Sequence, residues 1–400
     1  MMVLAASGFG IYKLAQLPAD APVWNQIDYG LWQQIAFHFE HSQWISHFDV
    51  DGVKWIGVRF WDLIQPAFMF MVGVAMPYSY ARREAVGHGV LRRTGHALLR
   101  AAVLVLLGVF LVSTGESQTR WEFFNVLAQI GLGYFFAYIL LGRAFWIQLL
   151  AFIVILAGYW GFFYNYAPPQ NYDYAAVGAT EASILEGQLE PWSKNANAGY
   201  QVDLWLLNQF PRPAGEEFKY NPGGYLTLNF VPSIGTILLG VFCGQLLRGE
   251  KRWWQKFLLL VIGGAVCMGL AIAASMYACP IVKRIWTPSW VLFSGAWVIW
   301  ALAVFYLVLD LFRLRWLAFP LVIIGMNSLV MYLMSQLLRP WAEETVAIHF
   351  TGTLQRLGDL IGVDLLAEGM YAHLVWPTSA FILFWLIILW MYRQKFFVRV

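Results

Sequence analysis

The stretch LNFVPSIGTILLGVFCGQLLRGEKRWWQKFLLLVIGGAVCMGLAIAASMY, residues 228–277, decides the fold class. Two long apolar runs flank a short charged turn, Arg248 to Arg252. A helix needs about 20 mostly apolar residues to cross a bilayer. The runs 228–248 and 253–278 meet that length, and the basic turn between them stays in water. Working outward, the same pattern recurs at 60–81, 97–114, 123–142, 144–164, 288–312, 316–339 and 371–392. Met1–Leu17 is shorter and carries Lys13. It has no basic leader and no clear cleavage site, so it reads as the second half of a helix with a truncated start rather than a signal peptide. The expectation is an all-α, polytopic transmembrane helical bundle of about ten spans. It forms a single integral membrane domain over residues 1–400, with outer loops at 18–59, 165–227 and 340–370.

Composition agrees. Of 400 residues, 60% are hydrophobic and only 12% charged. A soluble chain has about 45–50% and about 25%. An ordinary cytosolic enzyme is therefore excluded. The 26 basic residues against 23 acidic ones leave no polycation for nucleic acid. The 21 Trp, 19 Tyr and 30 Phe exclude disorder. Three cysteines, Cys243, Cys267 and Cys279, sit in or beside apolar runs and read as small core residues rather than a disulfide framework.

The net charge of +3 divides unequally on this topology. Fifteen basic and three acidic residues fall in short links on one side, giving +12, and the remainder give −9 on the other. The positive-inside rule makes the first side cytoplasmic, with both termini, and puts the long loops outside. A side at +12 suits anionic lipid and a polyanion; a side at −9 suits a cationic solute.

Polar groups at membrane depth and histidines in an aromatic loop are the places to look for chemistry. The loop FHFEHSQWISHFDVDG (37–52) holds His38, His41 and His47. An imidazole can serve there as a general base or a metal ligand, or simply sit at the interface. His38 and His41 share a face if the segment is helical. Asp49 and Asp51 have the start of a calcium loop but not the remaining ligands. Asp62 opens a span, where the helix dipole favours a carboxylate; it can also orient a histidine or hold an ammonium. Gln65 and Pro66 follow one turn on. Asn327 and Ser328, Asn229 and Ser233, and Asn125 and Gln129 are each either helix–helix glue or site lining. Lys283 and Arg284 beside Trp286 form either a membrane anchor or a phosphate or carboxylate site. Arg82, Arg83, Arg92 and Arg93 with His88 and His96 are a topology determinant that can also greet an anion.

Four stretches resemble one family. HSQW (41–44) followed by WDLIQPAFMFMVGVAMP (61–77) is similar to its H-x-x-W and D-L-x-x-P-x-F-x-F-x-x-G. NVLAQIGLGYF (125–135) resembles a V-L-Q-R-I-G-x-x-Y helix, with Gln129 where arginine is common. LNFVPSIGTILLGVFCGQLL (228–247) resembles an I-N-S segment running into L-G-x-x-A-G. GMNSLVMY (325–332) resembles G-M-N-S-x-x-x-Y, the most specific of the four. The family is the transmembrane acetyltransferases of the heparan-α-glucosaminide N-acetyltransferase type, with their bacterial relatives.

The resemblance implies acetyl transfer from acetyl-CoA, as co-substrate and with no metal, to an amino sugar across the membrane. It implies His41 as the catalytic histidine, with Asp62 fixing the imidazole or the ammonium. Asn327, Ser328, Lys283, Arg284, Asn125 and Gln129 are then candidates for the CoA side. Trp44, Gln65, Asn229 and Ser233 are candidates for the acceptor. The family's first-helix asparagine is replaced by Ala6 and Ser7. A homodimer in a bacterial inner membrane, with the His41 loop periplasmic, is also implied. The rivals are an amino-sugar or small-solute permease, against which no internal repeat and no mid-span charge speak, and an O-acyltransferase acting on a glycan.

Overall fold

The computed structural model describes residues 7–17, 29–50, 53–212, 216–362 and 372–398. It is predominantly helical, with one two-stranded hairpin among the described residues. Seven helices are long and apolar enough to cross a membrane: Phe60–Ala85, Val90–Val112, Phe145–Tyr164, Thr227–Arg248, Trp253–Tyr277, Pro288–Leu311 and His373–Arg393. An eighth is made if the bent pair Arg315–Met326 and Ser328–Leu337 counts as one span. The chain is an integral membrane protein by this criterion, but the expected count of ten is not reached among the described residues.

Three segments account for the difference. The fourth expected span begins only at the Asn125 cap and runs Val126–Leu140, 15 residues. At 1.5 Å per residue that is about 22 Å, short of the roughly 30 Å hydrocarbon layer. The run 316–339 breaks at Asn327, where the two halves bend by 69°. Of the first run, the described part is a 3₁₀ turn, Ser7–Gly10, and a five-residue helix, Ile11–Ala15. The stretch expected as an outer loop at 340–370 carries the helix Arg339–Ile361 instead. Within the expected outer stretch 165–227 a short helix forms at Ala198–Leu207, started by the Asn197 side chain, which accepts the Tyr200 N–H at 2.9 Å.

The chain divides into two compact units. The first comprises residues 1–41, 59–64 and 312–400. Its core packs Ile323, Ile324, Met331, Phe381, Phe384 and Ile388. Phe9 meets Phe381 edge-on at 5.8 Å. The break at Asn327 is fixed by the end of the chain. Asn327 Nδ2 donates to Phe396 O at 3.0 Å, and Val398 N donates to Asn327 Oδ1 at 2.9 Å. The buried amide of Asn327 thus finds both a donor and an acceptor in the segment 396–398.

The second unit comprises 42–58 and 65–311. Strands His47–Val50 and Val53–Ile56 pair as an antiparallel hairpin, with Asp49 opposite Lys54. Asp49 is therefore a strand residue rather than the start of a cation loop; Asp51 and Gly52 lie outside the described residues. The helices Phe60–Ala85 and Phe230–Arg248 approach at backbone contact. A Cβ on Gly73 would overlap the Ile237 carbonyl, and one on Gly240 would overlap that of Phe70. Small residues allow this approach in lipid, where packing replaces the hydrophobic effect as the driving force. Trp44, Trp192, Phe163, Tyr200, Leu226 and Ile285 pack into a second, largely aromatic core that joins helix ends to the segment 165–227.

Candidate active site

In the first unit, helix Tyr29–Phe37 ends just before the histidine loop. His38 and His41 thus do not share a helical face. The loop is instead tied to the start of the Phe60–Ala85 helix at three successive points. Trp61 N donates to His38 O at 2.9 Å. Glu40 pairs with Arg59, whose guanidinium lies 4.2 Å over the Phe37 ring. His41 Nδ1 lies 2.9 Å from Asp62 Oδ1. Residues 38–41 are thereby held in register against 59–62.

The His41–Asp62 pair is asymmetric. Asp62 is 1% exposed and the His41 side chain 44%. An ionised carboxylate only accepts hydrogen bonds, so a neutral His41 carries its proton on Nδ1. That leaves Nε2 as the basic nitrogen. The edge of Trp61 meets the imidazole at 6.3 Å and limits its rotation. A buried anion that fixes tautomer and ring orientation beside a half-exposed imidazole is the arrangement a general base or acyl acceptor requires. Gln65 stands three residues beyond Asp62 in the same helix, half-buried. His47 is engaged elsewhere, its Nδ1 donating to Ile45 O at 3.0 Å. Among the described residues no three His, Cys, Asp or Glu side chains gather as a metal site would need.

Other candidates converge in the second unit. Gln129, 1% exposed, directs Nε2 at the carbonyls of Phe123 (2.7 Å), Thr227 (3.0 Å) and Leu226 (3.4 Å). Asn229 Nδ2 donates to Arg284 O at 2.8 Å. The Arg284 guanidinium donates to Gly223 O at 3.2 Å and to Ser42 O at 3.4 Å. Trp44 is buried and donates from Nε1 to Trp192 O at 2.9 Å. Gln129 and Arg284 therefore both hold the 223–229 segment, and Asn229 within that segment ties back to the Arg284 carbonyl. Three buried polar atoms remain without a hydrogen-bond partner among the described residues: Gln129 Oε1, Thr227 Oγ1 and Asn229 Oδ1. Buried groups of this kind are costly unless a water or ligand supplies a donor. The cluster is thus suited to a ligand rich in N–H and O–H groups.

The remaining candidates have local tasks. Asn125 Oδ1 accepts Leu127 N at 2.9 Å and caps its helix. Ser233 Oγ donates to Phe230 O at 2.8 Å, inside its own helix. Lys283 is buried. Asn327 pins the chain end as described, and Ser328 begins the helix after the bend, half-buried. These last two lie in the first unit with His41 and Asp62; the others lie in the second.

Sequence reasoning passed over Asp203 and Thr227. Asp203 is 1% exposed and accepts Thr227 N with both oxygens, at 3.0 and 3.3 Å. Burial pushes its carboxyl up to about 7, against the opposing pull of the Thr227 hydrogen bonds. The only hint in the sequence is one acidic residue in an otherwise apolar run, VDLWLL (202–207).

Residues 33–183 match the model of the heparan-alpha-glucosaminide N-acetyltransferase catalytic domain. That segment contains His41, Asp62 and Gln129. The chain is also similar to the heparan-alpha-glucosaminide N-acetyltransferases of Mus musculus, at 22% identity over 91% of the chain, and of Homo sapiens, at 24% over 87%. It spans little more than half the length of these relatives, 57% and 55%. The likeness to the two relatives runs through both units, and the family model covers the loop that carries the His41–Asp62 pair. The comparisons thus tie residues 33–183 to the catalytic-domain model of the heparan-alpha-glucosaminide N-acetyltransferases, and the chain as a whole is similar to them at low identity.

Proposed function

We propose that this protein transfers acetyl from acetyl-CoA to the amine of glucosamine or a related amino sugar, with His41 as catalytic base or acetyl acceptor. The observation that carries the reading is the half-exposed imidazole held 2.9 Å from buried Asp62. In direct transfer, His41 Nε2 removes the proton from the attacking amine as nitrogen bonds to the thioester carbonyl. The C–S bond breaks, CoA leaves as thiolate, and a proton restores its thiol. Asp62 balances the imidazolium that forms. In the two-step alternative, Nε2 itself attacks the thioester and expels CoA as thiolate, which takes up a proton; the sugar amine then attacks the acetyl-imidazole, the N–acetyl bond to His41 breaks, and the imidazole takes the amine proton.

Gln129, Thr227 and Asn229 offer acceptors to hydroxyl or amide donors of the substrates, and Trp44, Gln65 and Ser233 stand with the acceptor side. Lys283, Arg284 and Asn125 are placed with acetyl-CoA, as are Asn327 and Ser328. In this reading the protein lies in a bacterial inner membrane with both termini cytoplasmic and the His41 loop periplasmic, and forms a homodimer. The charge asymmetry of the sequence supports that orientation.

The test incubates purified protein with radiolabelled acetyl-CoA and a panel of amino sugars. Label on the sugar amine supports the reading. Absence of transfer to any amine, together with amino-sugar uptake in proteoliposomes, overturns it in favour of a permease. Acetyl isolated on His41 before a sugar is added selects the two-step route.

A further inference from the structure

The amino-terminal end of the Val90–Val112 helix has its electrostatics the wrong way round. The positive end of a helix dipole favours acids in the first turn. Here the first turn holds no acidic residue, and Gly89 at the cap provides no side-chain acceptor. Arg92, Arg93 and His96 stand there instead. His88, from the link before it, stacks on His96 with ring centroids 6.5 Å apart. Among the described residues the one acid paired with the group is Glu84, 3.3 Å from Arg93 Nη1 and without the geometry of a hydrogen bond.

Arg93 is the second, independent sign. It is 8% exposed, with its guanidinium 4.6 Å over the Tyr80 ring. Its Nε and Nη1 are buried and make no hydrogen bond among the described residues. His88 Nδ1 is in the same position. Burial and the neighbouring Arg92, Arg83 and Arg93 push the His88 imidazole below its ordinary range. Apart from the long Glu84 pairing, these donors at a positive helix end meet no anion among the described residues. The apolar residues beside them, Val90, Leu91 and Leu98, are strongly exposed. An acyl chain can lie against that surface while its headgroup meets the arginines.

We propose that Arg92, Arg93, His88 and His96 form a binding site for the phosphate of an anionic phospholipid. The planar guanidinium of Arg93 supplies the bidentate contact, Arg92 adds charge, and the uncapped first-turn amides complete the shell. The site stands whether or not His41 transfers acetyl.

The experiment measures lipid retained by the purified full chain after reconstitution with equal phosphatidylglycerol and phosphatidylcholine, read by native mass spectrometry. Three variants are compared: R92Q/H96Q, which changes exposed positions only; R93K, which keeps the charge but removes the fork; and R252Q, at the exposed turn before Trp253. Preferential retention of phosphatidylglycerol, falling about tenfold in R92Q/H96Q and clearly in R93K but not in R252Q, is the expected result. Equal losses in all three variants overturn the proposal, because a diffuse basic surface then suffices. Equal retention of the two lipids overturns it as well. Displacement of phosphatidylglycerol by micromolar coenzyme A but not by inorganic phosphate also overturns it, since the phosphate recognised is then a nucleotide's.

Discussion

His41 Nδ1 and Asp62 Oδ1 lie 2.9 Å apart, with the carboxylate buried and the imidazole half in solvent. The carboxylate comes from the first turn of the Phe60–Ala85 helix, where the dipole also favours its charge. The same location therefore gives Asp62 a structural reason to be ionised and a chemical use for that charge.

His41→Ala is expected to lower acetyl transfer by about 10²–10⁴-fold. Asp62→Asn lets the amide stabilise the other tautomer and is expected to cost at least about 10²-fold. Because the two act as one unit, the double variant should be little slower than His41→Ala alone. Initial rates on folded, monodisperse protein test this. Additive losses would mean that Asp62 acts independently of the imidazole.

Thr227→Val separates function from stability at the second polar cluster. Thr227 Oγ1 has no partner among the described residues, so its loss should leave the thermal midpoint nearly unchanged. A hydroxyl that meets substrate is worth about 1 kcal/mol. The KM for acceptor or acetyl-CoA should then rise several-fold with kcat little altered. An unchanged KM for both would remove Thr227 from the site.

Asp203 makes stability depend on pH with a defined sign. Its carboxyl rises from an ordinary 3.8 to about 7 in the fold, so between those values the folded chain holds a proton that the unfolded chain has released. Its contribution is most favourable below pH 4 and is lost as pH rises towards 7. Asp203→Asn keeps an acceptor for Thr227 N and removes the titration. The thermal midpoint of the variant relative to the parent should therefore rise from pH 5 to pH 8. A difference independent of pH would show that the carboxyl is not displaced.

Gly240→Ala is expected to prevent the close crossing of Phe60–Ala85 and Phe230–Arg248, because the added methyl meets the Phe70 carbonyl. Little folded protein should elute in size exclusion. Gly263→Ala, on Trp253–Tyr277 where nothing lies within 4 Å of the added carbon, should fold normally. The pair controls for helix propensity, which favours alanine in both cases by about 1 kcal/mol.

Asn327→Ala removes both hydrogen bonds to the chain end. Phe396 and Val398 are exposed, so water can take over the lost partners and each bond is worth about 0.5–1.5 kcal/mol. Limited proteolysis should then cut near residues 393–398 well before the parent is cut there.

The sequence by itself determined that this is a membrane-embedded helical chain, because apolar length is a one-dimensional quantity: runs such as 253–278 read the same on paper and in space. It also brought out the histidine loop and Asp62, since a histidine loop leading into a span with an acid in its first turn is a local pattern, and the family resemblance pointed to His41 within that loop. What only the tertiary structure decided were the partners of each polar group. Asn125 is a cap and Asn327 a tether for the chain end, while Gln129 clamps a segment about a hundred residues away. Asp203, inconspicuous in the short helix Ala198–Leu207, is buried against Thr227. The 69° bend at Asn327 and the shortness of Val126–Leu140 likewise followed from where hydrogen-bond partners lay, not from hydropathy. Burial of a polar group is settled by whatever packs over it, and those contacts come from residues far away in the chain.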